Sequence, residues 1–177
     1  MKKELITHFT FVIAFFIFIS LFRGWFELPY LSFWVGGLIG TILPDIDHLI
    51  YVYFLRPQEV SSQKIVSLIS KRESLAGLTL LSETRAERKH LIFHTFHFNI
   101  IFLLMSYLVI TSSGSILGSG IVLAFSLHLL IDQIVDFMET GDLANWLRQV
   151  NISFLPEQKR YYLIGNTLVL LFFGFLL

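Results

Sequence analysis

Five apolar stretches divide this chain, and the polar residues that interrupt them fall in clusters. The runs cover residues 5–22, 29–55, 90–110, 116–137 and 161–177. Each is close to the ~20 residues a helix needs to cross ~30 Å of hydrocarbon. The second run is interrupted near Gly40–Pro44, and the third and fourth are joined by the short turn Thr111-Ser112-Ser113-Gly114-Ser115, which predicts an antiparallel hairpin. Between the second and third runs, Ile65, Leu68, Ile69 and Leu75 recur at helical spacing with Lys64, Lys71, Arg72 and Glu73 among them. That pattern predicts an amphipathic helix lying in the membrane interface over 61–82. The segment 142–156, with Trp146 and Phe154, is a second candidate for the same position. The expected architecture is all-α: a polytopic helical bundle of about five transmembrane helices plus an interfacial helix. It forms one membrane-embedded domain, 1–177, with a cytoplasmic or interfacial insert at about 56–89.

Composition narrows this further. Of 177 residues, 55% are apolar and 15% charged, and 19 are Phe. The mean hydropathy is +0.72. These values lie outside the soluble globular range. Net charge is zero with no basic run, so nucleic-acid binding has no electrostatic support. With no Cys, any metal must be held by imidazole and carboxylate, which suits zinc, iron, nickel or manganese. Met1-Lys2-Lys3-Glu4 and the apolar run after it resemble a signal peptide, but no small-x-small cleavage site follows Phe22, so a retained first helix is expected. With the N-terminus in the cytoplasm, 12 of 13 basic residues fall on the inner face and only Arg23 outside, as the positive-inside rule requires.

The ionisable residues inside the apolar runs then become informative, because each costs ~2.5–3.5 kcal/mol on insertion scales. They form three clusters: Asp45, Asp47 and His48; His90, His94 and His97; and His128, Asp132 and Asp136. The topology puts all three in the cytoplasmic leaflet, so one shared site is allowed. His90, His94 and His97, at i, i+4 and i+7, fall within an arc of about 60° on a helix. His128 and Asp132 also share a face at i, i+4, a spacing that lets two side chains reach one ion. Asp45 and His48 share a face at i, i+3 with Asp47 pointing elsewhere, so Asp47 is either a ligand to a second ion or a carboxylate that orients an imidazole. Pro44 breaks the helix beside them, and irregular backbone at this depth is tolerated where it lines a polar cavity. His8 is read as structural. Asp136, Glu139 and Asp142 are read as solvated charges at the mouth of the site. Arg88, nearest the histidines, is the candidate contact for an anionic substrate.

The string Gly40-x-x-Leu43-Pro44-Asp45-Ile46-Asp47-His48, then a His-rich element, then His128-Leu129-Leu130-Ile131-Asp132 resembles the membrane-bound metal-dependent hydrolase family, the LexA-binding, inner-membrane-associated hydrolases. The likeness covers most of 36–136. It carries over Asp45, Asp47, His48, His128 and Asp132. The family's middle motif is His-Arg, two residues, then Thr-His-Ser. Here His90 is followed by Leu91 and His94-Thr95 arrives one residue early, so His90 and His94 fill that role and His97 has no counterpart.

The resulting expectation is a metal-dependent hydrolase of the inner (plasma) membrane. It would cleave a phosphoester or related bond in a lipid or lipid-linked substrate at the cytoplasmic leaflet. Asp45, His48, His90, His94, His128 and Asp132 are the candidate ligands, for one or two zinc ions, with manganese or iron as alternatives. Asp47 is the candidate catalytic carboxylate, as general base or as an orienting group. Three other readings use the same residues. A metal or proton transporter needs polar groups along the full membrane depth, and the outer halves of the runs are almost purely Phe, Leu, Ile and Val. A di-iron lipid oxidase uses more histidines than the five in the clusters. A non-catalytic membrane adaptor is the third.

Overall fold

The computed structural model describes residues 2–150 and 154–177, with side chains from residue 5 onward, so residues 151–153 of the second interfacial candidate lie outside it. The described residues are mainly helical and contain no strand. The helices are α1 (Lys2–Arg23), α2 (Leu31–Ile42), α3 (Ile46–Ile50), α4 (Val60–Ser70), α5 (Ser74–Glu83), α6 (Phe96–Ser112), α7 (Ile116–Thr140), α8 (Ala144–Leu147) and α9 (Pro156–Leu176). Among the described residues, three helical segments are long and apolar enough to cross a membrane: Leu5–Arg23, Leu28–Leu55 and Ile116–Thr140. The chain is a membrane protein by this measure.

Helix α7 is the axis of the fold. Its middle is buried from Val122 to Gln133, and α1, α2, α6 and α9 pack around it. Burial of apolar surface gives little drive for helix association in lipid, so close backbone approach has to supply contact. Glycine provides it. A Cβ on Gly36 would strike Leu117 O, one on Gly40 would strike Ile121 O, and one on Gly120 would strike Phe33 O, all backbone atoms. The α2 and α7 main chains therefore touch along two turns, and this is the most extensive helix pair in the molecule. On the far side of α2, Phe16 of α1 stacks on Phe33 with ring centroids 4.2 Å apart. Helix α9 is joined by a buried amide network: Asn99 Nδ2 donates to Tyr162 Oη (2.9 Å) and Asn166 Oδ1 (3.3 Å), and Asn166 Nδ2 donates to Gln133 Oε1 (3.2 Å). Outside the apolar helices, Lys159 pairs with Asp142 and holds its carboxyl below the usual carboxylate range.

The break predicted at Pro44 is a change of helical pitch. A 3-10 turn, Leu43–Asp45, joins α2 to α3, and a π-helical turn, Tyr51–Leu55, ends the rod. The tightened turn resets the phase. Asp47 and His48 are both buried and Asp45 is turned outward, where an undisturbed helix pairs Asp45 with His48. The expected interfacial helix is a hairpin, α4 and α5, reversed at Arg72, whose φ of 64° lies in the left-handed region. Its inner face, Ile65 and Leu81, packs on Tyr51 and Val52.

Candidate metal centre

The site is assembled around Asp132 on α7. Its two oxygens face imidazoles from three directions. Oδ1 lies 3.0 Å from His8 Nε2 on α1. Oδ2 lies 3.1 Å from His94 Nε2 and 3.3 Å from His128 Nε2. The rings of His8 and His128 stack with centroids 4.0 Å apart. Donor atoms of His8, His128 and Asp132 all lie within 4.8 Å of one another, and all three residues are buried. Direct ligands at ~2.0–2.2 Å from one ion are separated by about 3–4 Å, so the spacing fits a shared cation. Asp45 Oδ1, half exposed, stands 3.7 Å from His128 Nε2 at the rim.

Hydrogen bonds on the far side of each ring decide what the near side offers. His128 Nδ1 donates to the Thr41 carbonyl at 2.7 Å, which leaves Nε2 of the neutral ring unprotonated. The His94 ring lies between two carboxylates, with Nδ1 3.1 Å from Asp47 Oδ2 and Nε2 3.1 Å from Asp132 Oδ2. The His128 Nε2 lone pair therefore faces the Asp132 carboxylate with no hydrogen-bond partner among the described residues. A cation between the two satisfies both, and Arg85 supplies one to Asp132 Oδ1 at 2.8 Å. The residues fit a metal ion, and a carboxylate or carbonyl behind each ring is the usual support for a ligating histidine.

Asp47 is fully buried. Its Oδ1 accepts from the backbone N–H of Ile92 (3.0 Å), and its Oδ2 accepts from the N–H groups of Phe93 (2.6 Å) and His94 (3.3 Å) and from the His94 ring. It orients His94, one of the two roles expected for it. Those same bonds prevent a helix at 91–95. Helix α6 starts at Phe96, with Thr95 Oγ1 capping Phe98 N, so His90 and His94 do not share a helical face. His90 is exposed and outside the cluster, and His97 is exposed on the first turn of α6. His90, expected as a ligand, stands apart from the buried group.

His48 also departs from its expected role. Arg88 Nε donates to His48 Nδ1 at 3.0 Å. Guanidinium only donates, so Nδ1 must accept and the ring proton of neutral His48 sits on Nε2. A protonated nitrogen is not a metal ligand. Arg88 is buried, and its other nitrogens bond Thr84 Oγ1 (2.9 Å) and the Leu81 carbonyl, so it fastens the end of α5 to α3. Arg85 is the guanidinium at the centre, 2.8 Å from Asp132 Oδ1. Asp136 is a structural acceptor for Trp146 Nε1 at 2.7 Å, and Trp146 packs against His94.

Sequence reasoning missed His8 and Arg85. No spacing signal marked His8, a lone histidine in an apolar run. Two cavities flank the site. One, of about 380 Å³, is lined by Arg85, Arg88, Asp136 and Glu139 among apolar side chains and lies against α8 and the end of α7. The other, of about 430 Å³, is mainly apolar and lies between α1, α2, α3 and α5. No known family, curated protein or solved structure matches this chain.

Proposed function

We propose that this protein is a metal-dependent hydrolase of the inner membrane that cleaves a phosphoester or related bond of a lipid or lipid-linked substrate at the cytoplasmic leaflet. The observation that carries the reading is the convergence of buried His8, His128 and Asp132, whose donor atoms lie within 4.8 Å of one another, with His94 beside Asp132. Two imidazoles and one carboxylate, His8, His128 and Asp132, make a three-donor site that suits a catalytic zinc with an open position, and Asp45 at the rim is the donor for a second ion. In this reading α6 and α9 join the three long helical segments as a five-span bundle with a cytoplasmic N-terminus, which keeps the basic residues inside and the site in the inner leaflet. The motif order from Asp45 to Asp132 supports membership of the membrane-bound metal-dependent hydrolases.

A divalent metal, when bound, supplies Lewis acidity and lowers the pKa of a water toward ~7. The rest of the work belongs to the chain. Asp47 and the Thr41 carbonyl fix the His94 and His128 rings. His48 presents an N–H, and Arg85 a positive charge, beside the cluster. Hydrolysis adds water across the ester bond: the hydroxyl goes to phosphorus, and the proton goes to the departing oxygen.

Metal analysis of the detergent-purified protein, paired with hydrolysis assays on phosphorylated lipids, tests the reading. One or two zinc ions per chain are expected, with hydrolysis abolished in Asp132→Asn and membrane insertion unchanged. A folded protein that binds no transition metal on titration overturns it. So does metal or proton flux in liposomes without hydrolysis of any lipid offered.

A further inference from the structure

Asp132 and Asp136 lie one turn apart on α7, and one guanidinium stands beside both. Arg85 Nη2 is 2.8 Å from Asp132 Oδ1. The Arg85 charge also acts on Asp136. Four residues of helix rise about 6 Å, a span that a long arginine side chain covers by changing rotamer, with its backbone in place. That backbone is a 3-10 turn, Arg85–Glu87, between α5 and the irregular chain leading to α6. The Arg85 side chain is 21% exposed against 1% for Asp132, so it reaches into the buried cluster from outside.

Space and an acceptor are both present beside the second carboxylate. The cavity of about 380 Å³ against α8 is lined by Arg85, Asp136 and Glu139. Trp146 Nε1 donates to Asp136 Oδ2, and Asp136 Oδ1 accepts no hydrogen bond from the described residues. A metal ion makes the two seats exclusive. Asp132 belongs to the buried donor set with His8 and His128. It carries one negative charge, and a divalent ion and a guanidinium held on that one carboxylate repel each other strongly where water is scarce. Asp136 supplies a second negative charge on the guanidinium's own side of the cluster. Arg88 has no comparable choice, because His48, Thr84 and Leu81 hold it.

We propose that Arg85 is a latch with two seats: it rests on Asp132 in the metal-free protein and crosses to Asp136 when a divalent cation occupies His8, His128 and Asp132. The latch rests on the metal centre of the proposed function and not on hydrolysis. Before the ion arrives, the guanidinium neutralises a buried carboxylate that is otherwise costly to hold. Once the ion is bound, its departure clears the path between Asp132 and the cavity against α8, which His94 also lines.

A double-mutant cycle on zinc affinity tests the latch, read by chelator competition on the full chain in detergent. Asp136→Asn is expected to weaken zinc binding about tenfold when Arg85 is present and less than about twofold in Arg85→Gln, where the second seat has no occupant. Asparagine keeps the side-chain shape and an oxygen for Trp146. Glu139→Gln removes a charge from the same cavity and should change affinity less than about twofold in either background, since an exposed charge is screened. A structure of the zinc-loaded wild type puts the same question without a variant: an Arg85 nitrogen should lie within hydrogen-bond distance of Asp136 and away from Asp132. Equal losses from Asp136→Asn in both backgrounds, no loss in either, or Arg85 still on Asp132 in the loaded structure overturns the latch and leaves the metal centre standing. No zinc binding by wild type or by Arg85→Gln overturns both. The expected coupling without hydrolysis of any lipid keeps the latch and removes the hydrolase reading.

Discussion

Asp47 holds His94 at two points: its Oδ2 accepts from the backbone N–H at 3.3 Å and from ring Nδ1 at 3.1 Å. With Ile92 and Phe93 N–H also bound, one carboxylate shapes the strand of chain that enters α6 and orients the ring at its end.

Asp47→Asn is therefore expected to act on metal affinity from a residue that is not a ligand. The amide keeps the volume but replaces one acceptor oxygen with a donor facing N–H groups. Each hydrogen bond to a charged acceptor contributes roughly 1.5–3 kcal/mol, so the 92–94 backbone loosens and His94 is no longer aimed. Zinc affinity should fall about 10–100-fold, the range seen when the carboxylate behind a ligating histidine is removed. Isothermal titration with zinc checks this, with His90→Ala as the control that should leave affinity unchanged. Equal losses in the two variants would mean that the Asp47–His94 contact has no part in metal binding.

The contrast between Asp47 and His90 shows what the sequence could carry. The apolar runs at 5–22, 29–55 and 116–137 were legible as long helices, because each needs only its own composition to be recognised. The hairpin turn at 111–115 was legible too, and Gly114 takes the left-handed φ of 62° that the turn needs. His128 and Asp132 were found together because both lie on one uninterrupted helix. The His90, His94, His97 series failed for the opposite reason. Its spacing is helical, but Asp47, more than forty residues away, captures the backbone N–H groups a helix would use. His8 was invisible because a lone histidine in an apolar run carries no spacing signal; its partner, Asp132, lies 124 residues away. Arg88 was favoured over Arg85 by nearness in sequence, whereas the turn of chain after α5 aims Arg85 at Asp132 and buries Arg88 behind His48.

Arg85 and the metal are competing cations on one carboxylate. Arg85→Gln removes the competitor that sits 2.8 Å from Asp132 Oδ1. Zinc affinity should rise about tenfold, equivalent to ~1.4 kcal/mol. A chelator competition titration checks this. Weaker zinc binding in Arg85→Gln would show that the guanidinium supports the site and does not compete for it.

His48 and His128 are predicted to separate. Both are buried histidines, but His128 turns a lone pair inward while His48 carries its proton on Nε2 because Arg88 fills Nδ1. His128→Ala should lose zinc. His48→Ala should retain it within about threefold of the wild-type affinity, since no coordinate bond is removed. Nitrogen-15 spectra of the imidazoles in the zinc-loaded protein give a second readout: His48 should show the Nε2–H tautomer and His128 the Nδ1–H tautomer. Zinc loss in His48→Ala together with a metal-shifted Nε2 would make His48 a ligand.

The α2–α7 contact should control the site from a distance. Gly120 faces the Phe33 carbonyl with no room for a Cβ, and His128 lies two turns further along α7, bonded to Thr41 of α2. Gly120→Val has no flexible neighbour to displace, because the obstacle is backbone. The helices must separate, and overpacking of this kind costs roughly 1–3 kcal/mol. Separation draws the Thr41 carbonyl away from His128 Nδ1 and frees the ring to rotate, so zinc affinity should fall along with thermal stability in detergent. Gly165→Val is the matched control: on α9, a Cβ there meets nothing within 4 Å. It carries the same β-branched side chain into an apolar helix and should change neither property. If Gly120→Val loses stability but binds zinc as tightly as wild type, the His128 ring is held by α7 alone and the Thr41 bond is incidental. If both fall together, the glycine contact between α2 and α7 and the aim of His128 are one structural unit.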